Sequence, residues 1–190
     1  MGSAKVLEIT VEPKRHEARL GFANRVVELF RSESQLDAVA KGDAVVVLGV
    51  WYPDFDRAAE LIAATSEEEL LWGEPQIVYR YEEVELRGKR KQIVLEPILL
   101  VEVTTPPDYI GNVIGDMMSR RGLMLGHREN DDKSITVSAE VPLAELRGYD
   151  KTLLEITGER GVVSVAVLKY LQGPPYIGPP DEPVSMALRA

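Results

Sequence analysis

The chain has 190 residues, 45% of them hydrophobic and 28% charged, with no cysteine and a formal net charge of −9. Such a length holds one domain or two small ones, and no apolar run reaches the ~20 residues of a membrane-spanning helix. Without cysteine there is no disulfide, thiolate zinc site or iron–sulfur cluster, and the acidic balance argues against free-standing binding to phosphate backbones by charge alone. The start, Met1 to Val6, has no basic region followed by an apolar stretch, so no export signal and a cytoplasmic location are expected.

In chain order, Val6 to Val11 reads as a strand that ends at Glu12 and Pro13. Glu17 to Arg31 is a helix offering Leu20, Val26, Val27, Leu29 and Phe30 for packing. Gln35 to Ala40 pairs with Ala44 to Val50 across a glycine turn at Lys41, Gly42 and Asp43. Phe55 to Ala64 is a short helix with Asp54 as its N-terminal cap. Gln76 to Val84 is the closing strand of this half.

The second half repeats the rhythm. Ile98 to Val103 is a strand, and Pro106, Pro107 and Asp108 open a helix. Ile110, Val113, Ile114, Met117 and Met118 follow at helical spacing. Gly122 stops that helix after Arg120 and Arg121, whose charges suit a helix C-terminus. Leu123 to His127 and Ser134 to Val141 are strands around a turn at Asn130 to Lys133. Pro142 starts a helix with Leu143, Leu146, Leu153, Leu154 and Ile156, weakened at Gly148. Val162 to Tyr170 closes the half.

Both halves are therefore βαββαβ, and the expected fold class is α+β, two tandem ferredoxin-like domains. The expected organisation is a first unit over residues 1–84, a short basic hairpin or linker over 85–96, a second unit over 97–172 and a proline-rich tail over 173–190.

Particular residues carry a family resemblance. Glu96-Pro97-Ile98, Gly111-Asn112-Val113-Ile114-Gly115-Asp116, Arg120-Arg121-Gly122, Val141-Pro142-Leu143-Ala144-Glu145 and Arg160-Gly161, in that order, closely resemble the last domain of translation elongation factor G. One departure is Thr157-Gly158-Glu159-Arg160-Gly161, where the family has a Thr-Gln-Gly-Arg-Gly pattern. Leu7 to Lys14 and Gly73 to Arg80 resemble, more faintly, the ends of the family's third domain. Between them Gly49-Val50-Trp51-Tyr52-Pro53 replaces the family's Gly-Glu-Leu-His stretch. The family's GTPase, second and fourth domains have no counterpart in these residues. No Gly-x-x-x-x-Gly-Lys-Ser/Thr loop is present, so neither a nucleotide nor an enzymatic activity is expected.

The resemblance implies a translation-factor-like protein that meets the ribosome near its factor-binding site and modulates translation. Large-subunit RNA and a stalk-base protein would be the partners. The residues expected to contact RNA are Arg87, Lys89, Arg90 and Lys91 around the linker glycine, with Arg120, Arg121, Arg147 and Lys151 on the last unit. A solvated hairpin tip explains the first four as well, and dipole complementation explains Arg120 and Arg121. The alternative function is a protein-interaction or self-associating module, such as a homodimer, that keeps the fold without the ribosome. Ribosome docking predicts positive charge gathered on one face of the second unit; an interaction module predicts an apolar patch on a sheet face.

Other candidates point to no chemistry. His16 and His127 lie in different halves without metal-ligand spacing, so no metal or cofactor is expected. Glu67 to Glu69 and Glu82, Glu83 and Glu85 read as solvated faces. Asp54, Asp56 and Glu60 lack a nucleophile pattern, so no catalytic set is expected. Trp51, Tyr52, Phe55 and Trp72 read as core or interface, with stacking on RNA bases as the sharper alternative. The segment Gln172 to Pro183 reads as a polyproline ligand or as a terminus along the body.

Overall fold

The computed structural model describes residues 4–15, 21–33, 36–66, 68–86 and 88–174. The first half builds β1 (Leu7–Pro13), α1 (Phe22–Phe30), β2 (Asp37–Lys41), β3 (Ala44–Gly49), α2 (Pro53–Ala63) and β4 (Leu70–Trp72). Its sheet runs β2-β3-β1-β4, with β5 (Gln76–Ile77) also on β1. Alternation along the strands sorts the two faces. Leu7, Ile9 and Val11 of β1 and Val45 and Val47 of β3 are buried. So are Phe22, Val26 and Phe30 of α1 and Phe55, Ala58 and Ile62 of α2, which repeat at helical spacing. Gly42, at φ +63°, supplies the left-handed residue of the β2–β3 turn.

The second half repeats the plan with β7 (Lys89–Thr105), α3 (Ile110–Ser119), β8 (Leu123–Glu129), β9 (Ile135–Pro142), α4 (Tyr149–Thr157) and β10 (Val162–Gln172). Its sheet runs β10-β7-β9-β8, the same order as the first. Leu99, Val101 and Val103 share a core with Val113, Met117, Val137, Ala139, Val141, Leu143, Leu146 and Leu153. Both halves are thus antiparallel ferredoxin-like sheets, and the fold is α+β as expected.

Four local expectations differ from the structure. The stretch Gln76 to Val84 is not one strand. Its start, β5, stays with the first sheet, whereas β6 (Arg80–Leu86) pairs with β7 from Arg80↔Leu95 to Leu86↔Lys89. Gly88, at φ +75°, lies in the turn that joins β6 to β7, and this local closure outcompetes a distant partner. The helix expected from Pro142 breaks in two, because Arg147 is extended and Gly148 is left-handed. A 3-10 turn over Leu143–Leu146 precedes α4.

The third difference lies at the end of α3. The left-handed residue there is Arg121, at φ +60°. Gly122 instead donates its N–H to the Met117 carbonyl at 3.0 Å, the closing bond of a Schellman motif.

The fourth is Asp54, which lies inside α2 and caps nothing of that helix. Its Oδ2 accepts the N–H groups of Val50 (2.6 Å) and Trp51 (3.2 Å), fastening the β3–α2 corner. Burial raises the Asp54 pKa above the ordinary 3.8, while the two amide bonds and Lys5 act the other way. The folded state therefore holds this proton more tightly than the unfolded one. Asp54's contribution is fullest below the unfolded pKa and is lost as pH rises through the folded value. Asp54→Asn keeps an acceptor and removes the desolvated charge. Its stability relative to the parent is expected to improve as pH rises above about 4. Asp54→Ala, by contrast, is expected to lose about 1–3 kcal/mol by stranding two amides. Urea melts of both variants at acid and neutral pH check this.

Among the described residues, no helix is long and apolar enough to cross a membrane. His16, Glu67, Arg87 and the tail from residue 175 lie outside the described residues.

Candidate functional site

The expected RNA-contacting cations fall in three separate places. At the end of α3, Arg120 is spent on holding the second unit together. Its Nε donates to Asp116 Oδ2 (2.7 Å), one turn earlier. Its two terminal nitrogens donate to the Glu145 carbonyl (2.6 Å) and to Thr152 Oγ1 (3.2 Å). The guanidinium also lies 5.0 Å from the Tyr149 ring centroid. Tyr149 is fully buried, its hydroxyl has no hydrogen-bond partner, and burial raises its pKa. One arginine thereby ties α3 to the 3-10 turn and to α4.

Arg121 has a different internal task. Its terminal nitrogens reach both oxygens of Glu96, at 2.5 and 3.4 Å, and Glu145 Oε1 at 3.4 Å. The Glu96 side chain is 2% exposed and that of Arg121 38%. A buried carboxylate needs such a partner. Positive charge therefore does not gather at this end of α3, because Asp116, Glu96 and Glu145 neutralise it.

The second place is the β6–β7 hairpin. Lys89, Arg90 and Lys91 are all exposed, yet the pleat divides them. Lys89 stands opposite Leu86, and Lys91 opposite Val84, on one face; Arg90 stands on the other, opposite Glu85. A run that looks like one cluster in sequence is a lysine pair on one face and an arginine on the other.

The third place is a cleft of about 500 Å³ between the halves. Tyr52, Phe55 and Trp72 form its apolar wall, and Arg147 and Lys151 stand on the opposite side. Arg147 leaves the chain at the break before α4 and lies 5.7 Å from the Tyr52 ring centroid. Burial raises the Tyr52 pKa, and Arg147 opposes that shift. The aromatic group expected as core or interface thus divides, with Phe55 buried and Tyr52 and Trp72 half-buried on the cleft. Asp56 and Asp150 line the same cleft, so its charge is mixed.

Sequence reading missed a further contact. Arg80 sits 4.0 Å from the Tyr170 ring centroid, and the Tyr170 hydroxyl donates to the Val78 carbonyl at 3.3 Å. The only sequence signal was a lone arginine in an acidic strand. On the outer face of the second sheet, Glu102 accepts from Arg128 (3.3 Å) and Ser138 (3.2 Å), and the Thr104 and Thr136 hydroxyls pair at 2.8 Å. Exposed Leu123 and Leu168 flank this polar centre. Among the described residues, no three His, Cys, Asp or Glu side chains converge on a metal-sized point.

Comparison with known proteins separates the halves. Residues 93–177 match the family model described as the elongation factor G C-terminus. Over 89 residues the chain is 46% identical to an elongation factor G from Aquifex pyrophilus, a match covering 47% of this chain and 13% of that one. The chain thus spans a small part of that relative's length. A crystal structure from Thermus thermophilus superposes with a TM-score of 0.61 at 18% identity, over 93% of this chain and 42% of the other. That likeness is one of fold, and it extends across both halves.

Proposed function

We propose that this elongation factor G-like chain, whose residues 93–177 match that factor's C-terminal domain, is a ribosome ligand that acts by contact and not by nucleotide hydrolysis. The observation that carries the reading is the 46% identity to an elongation factor G over 89 residues, beside the family-model match over residues 93–177. In this reading the chain docks in the cytoplasm near the factor-binding site, on large-subunit RNA and a stalk-base protein, and modulates access of other factors.

The contacts come from cations that remain exposed. Lys89 and Lys91 on one face of the hairpin and Lys151 on α4 are the side chains assigned to phosphates, with Arg147 beside Lys151 at the cleft. Arg120 and Arg121 serve the reading indirectly, by fixing the shape of the surface they sit under. Each phosphate contact displaces condensed counterions, so binding weakens as salt rises.

Co-sedimentation with whole ribosomes and separated subunits across a salt series tests the proposal. Saturable pelleting with the large subunit is expected. The triple substitution Lys89→Glu, Lys91→Glu and Lys151→Glu leaves every buried ion pair intact and should lower both the affinity and the salt slope. No pelleting even at low salt would overturn the reading.

A further inference from the structure

Among the described residues, one edge of the first sheet is unpaired. β3 occupies one side of β2, and among the described residues no strand occupies the other. The pairing of β2 with β3 is regular from Asp37↔Leu48 to Lys41↔Ala44, without a bulge. The strand contains no proline, and bulges and proline are two of the usual means by which an edge is blunted. The Ala38 N–H is donated to the Asp37 carboxylate at 2.8 Å and not to β3. Residue 38 therefore turns its backbone groups outward, and so does residue 40, since successive residues of a strand alternate.

The strand reads Asp37-Ala38-Val39-Ala40-Lys41, with an acid at one end, a base at the other and a small apolar centre. We infer that β2 pairs with β2 of a second copy of this chain, antiparallel and centred on Val39. In that register each Asp37 stands opposite Lys41 of the second copy, so two opposite-charge pairs form at once. Ala38 and Ala40 stand opposite one another and exchange their outward N–H and C=O groups. Val39, 54% exposed in the single chain, meets its own counterpart across a two-fold axis. Asp37, Val39 and Lys41 share one face by alternation, so charge pairs and apolar contact lie in a single row. Centring on Ala38 or Ala40 instead sets a charge opposite Val39 and loses both pairs. The sequence thus selects one register. Pairing would join two five-stranded sheets edge to edge, and the Asp37 carboxylate would exchange the Ala38 amide for a lysine of the second copy.

Five residues a side bury less than the ~1,200 Å² of a stable interface, so the dimer forms weakly and dissociates on dilution. The inference is independent of the ribosome reading, because β2 belongs to the half that the family model does not match.

Sedimentation equilibrium from about 10 µM to about 1 mM at low salt tests it. The wild-type chain is expected to self-associate. Asp37→Lys and Lys41→Asp should each weaken self-association about tenfold, since like charges then stand opposite. An equimolar mixture of the two variants should recover it, each lysine again facing an aspartate. Ala40→Pro removes only an outward N–H, so it should abolish association while leaving the monomer's melting temperature nearly unchanged. A wild-type chain that stays monomeric to about 1 mM leaves this edge for a strand of another protein and overturns the inference. Association that survives Ala40→Pro, or a mixture that fails to recover, places the interface elsewhere and overturns it equally.

Discussion

Arg121→Met is expected to destabilise the second unit by about 3–5 kcal/mol, the usual cost of removing one partner of a buried ion pair. Glu96 is the reason. It lies on β7, the central strand, with 2% of its side chain exposed, and the Arg121 guanidinium approaches both of its oxygens. Methionine preserves much of the aliphatic stem but none of the charge, so the buried Glu96 is left without this counterion. The partner substitution separates this cause from lost packing. Glu96→Met in the Arg121→Met background removes both charges together, and most of the stability should return. Urea denaturation of the four members of the cycle gives the answer. A single variant within about 1 kcal/mol of the parent would show that Glu96 does not depend on Arg121. The consequence for function is practical. Charge reversal at Arg120 or Arg121 would disturb the internal ion pairs of the second unit, so a binding defect in such a variant would not by itself report a surface contact.

Gly122→Ala is expected to cost about 3 kcal/mol, at the upper end of overpacking effects. A Cβ at Gly122 would stand 2.4 Å from the Met117 carbonyl oxygen and 3.1 Å from its carbonyl carbon. That oxygen cannot retreat, because it accepts the N–H groups of Gly122 and Arg120 that close α3. Displacing it would also turn Arg121 away from Glu96. The same substitution about two or three turns earlier has the opposite sign. At Gly111 and Gly115 an added methyl meets nothing within 4 Å, and alanine there should add about 0.5–1 kcal/mol of helix stability. Thermal melts of the three alanine variants provide the comparison. If Gly122→Ala melted with the other two, the close approach would carry no energetic weight.

Element order was legible because it rests on periods that neighbours in sequence determine. Alternation in β1, β3 and β9 and the spacing of Val113 and Met117 needed no knowledge of distant residues. Features set by remote partners were not legible. Arg120 and Arg121 look like free cations until Glu96, Glu145 and Thr152 arrive from elsewhere in the chain; only Asp116, four residues before Arg120, was a local hint. Lys89, Arg90 and Lys91 read as one cluster along the chain, and the period of two of a strand places Arg90 on the face opposite the two lysines. Asp54 misled because a capping residue and an acid that grips the preceding turn have the same composition. At Gly122 the helix stop was found, and its cause was displaced by one residue.

The continuity of β7 has a mechanical meaning. Its 17 residues run unbroken from the hairpin to the middle of the second sheet, a span of about 55 Å at the usual rise per residue. Leu95 is paired on both sides, with Arg80 of β6 and Gln172 of β10, so the two segments overlap where they meet. The hairpin is therefore an arm rooted in the second unit, joined along the chain to the first by the short passage from Ile77 to Arg80. A load applied at Lys89 passes along a hydrogen-bonded ribbon to the strand that carries Glu96. Any rotation between the halves would carry that arm along with the second unit, in which its base is fixed.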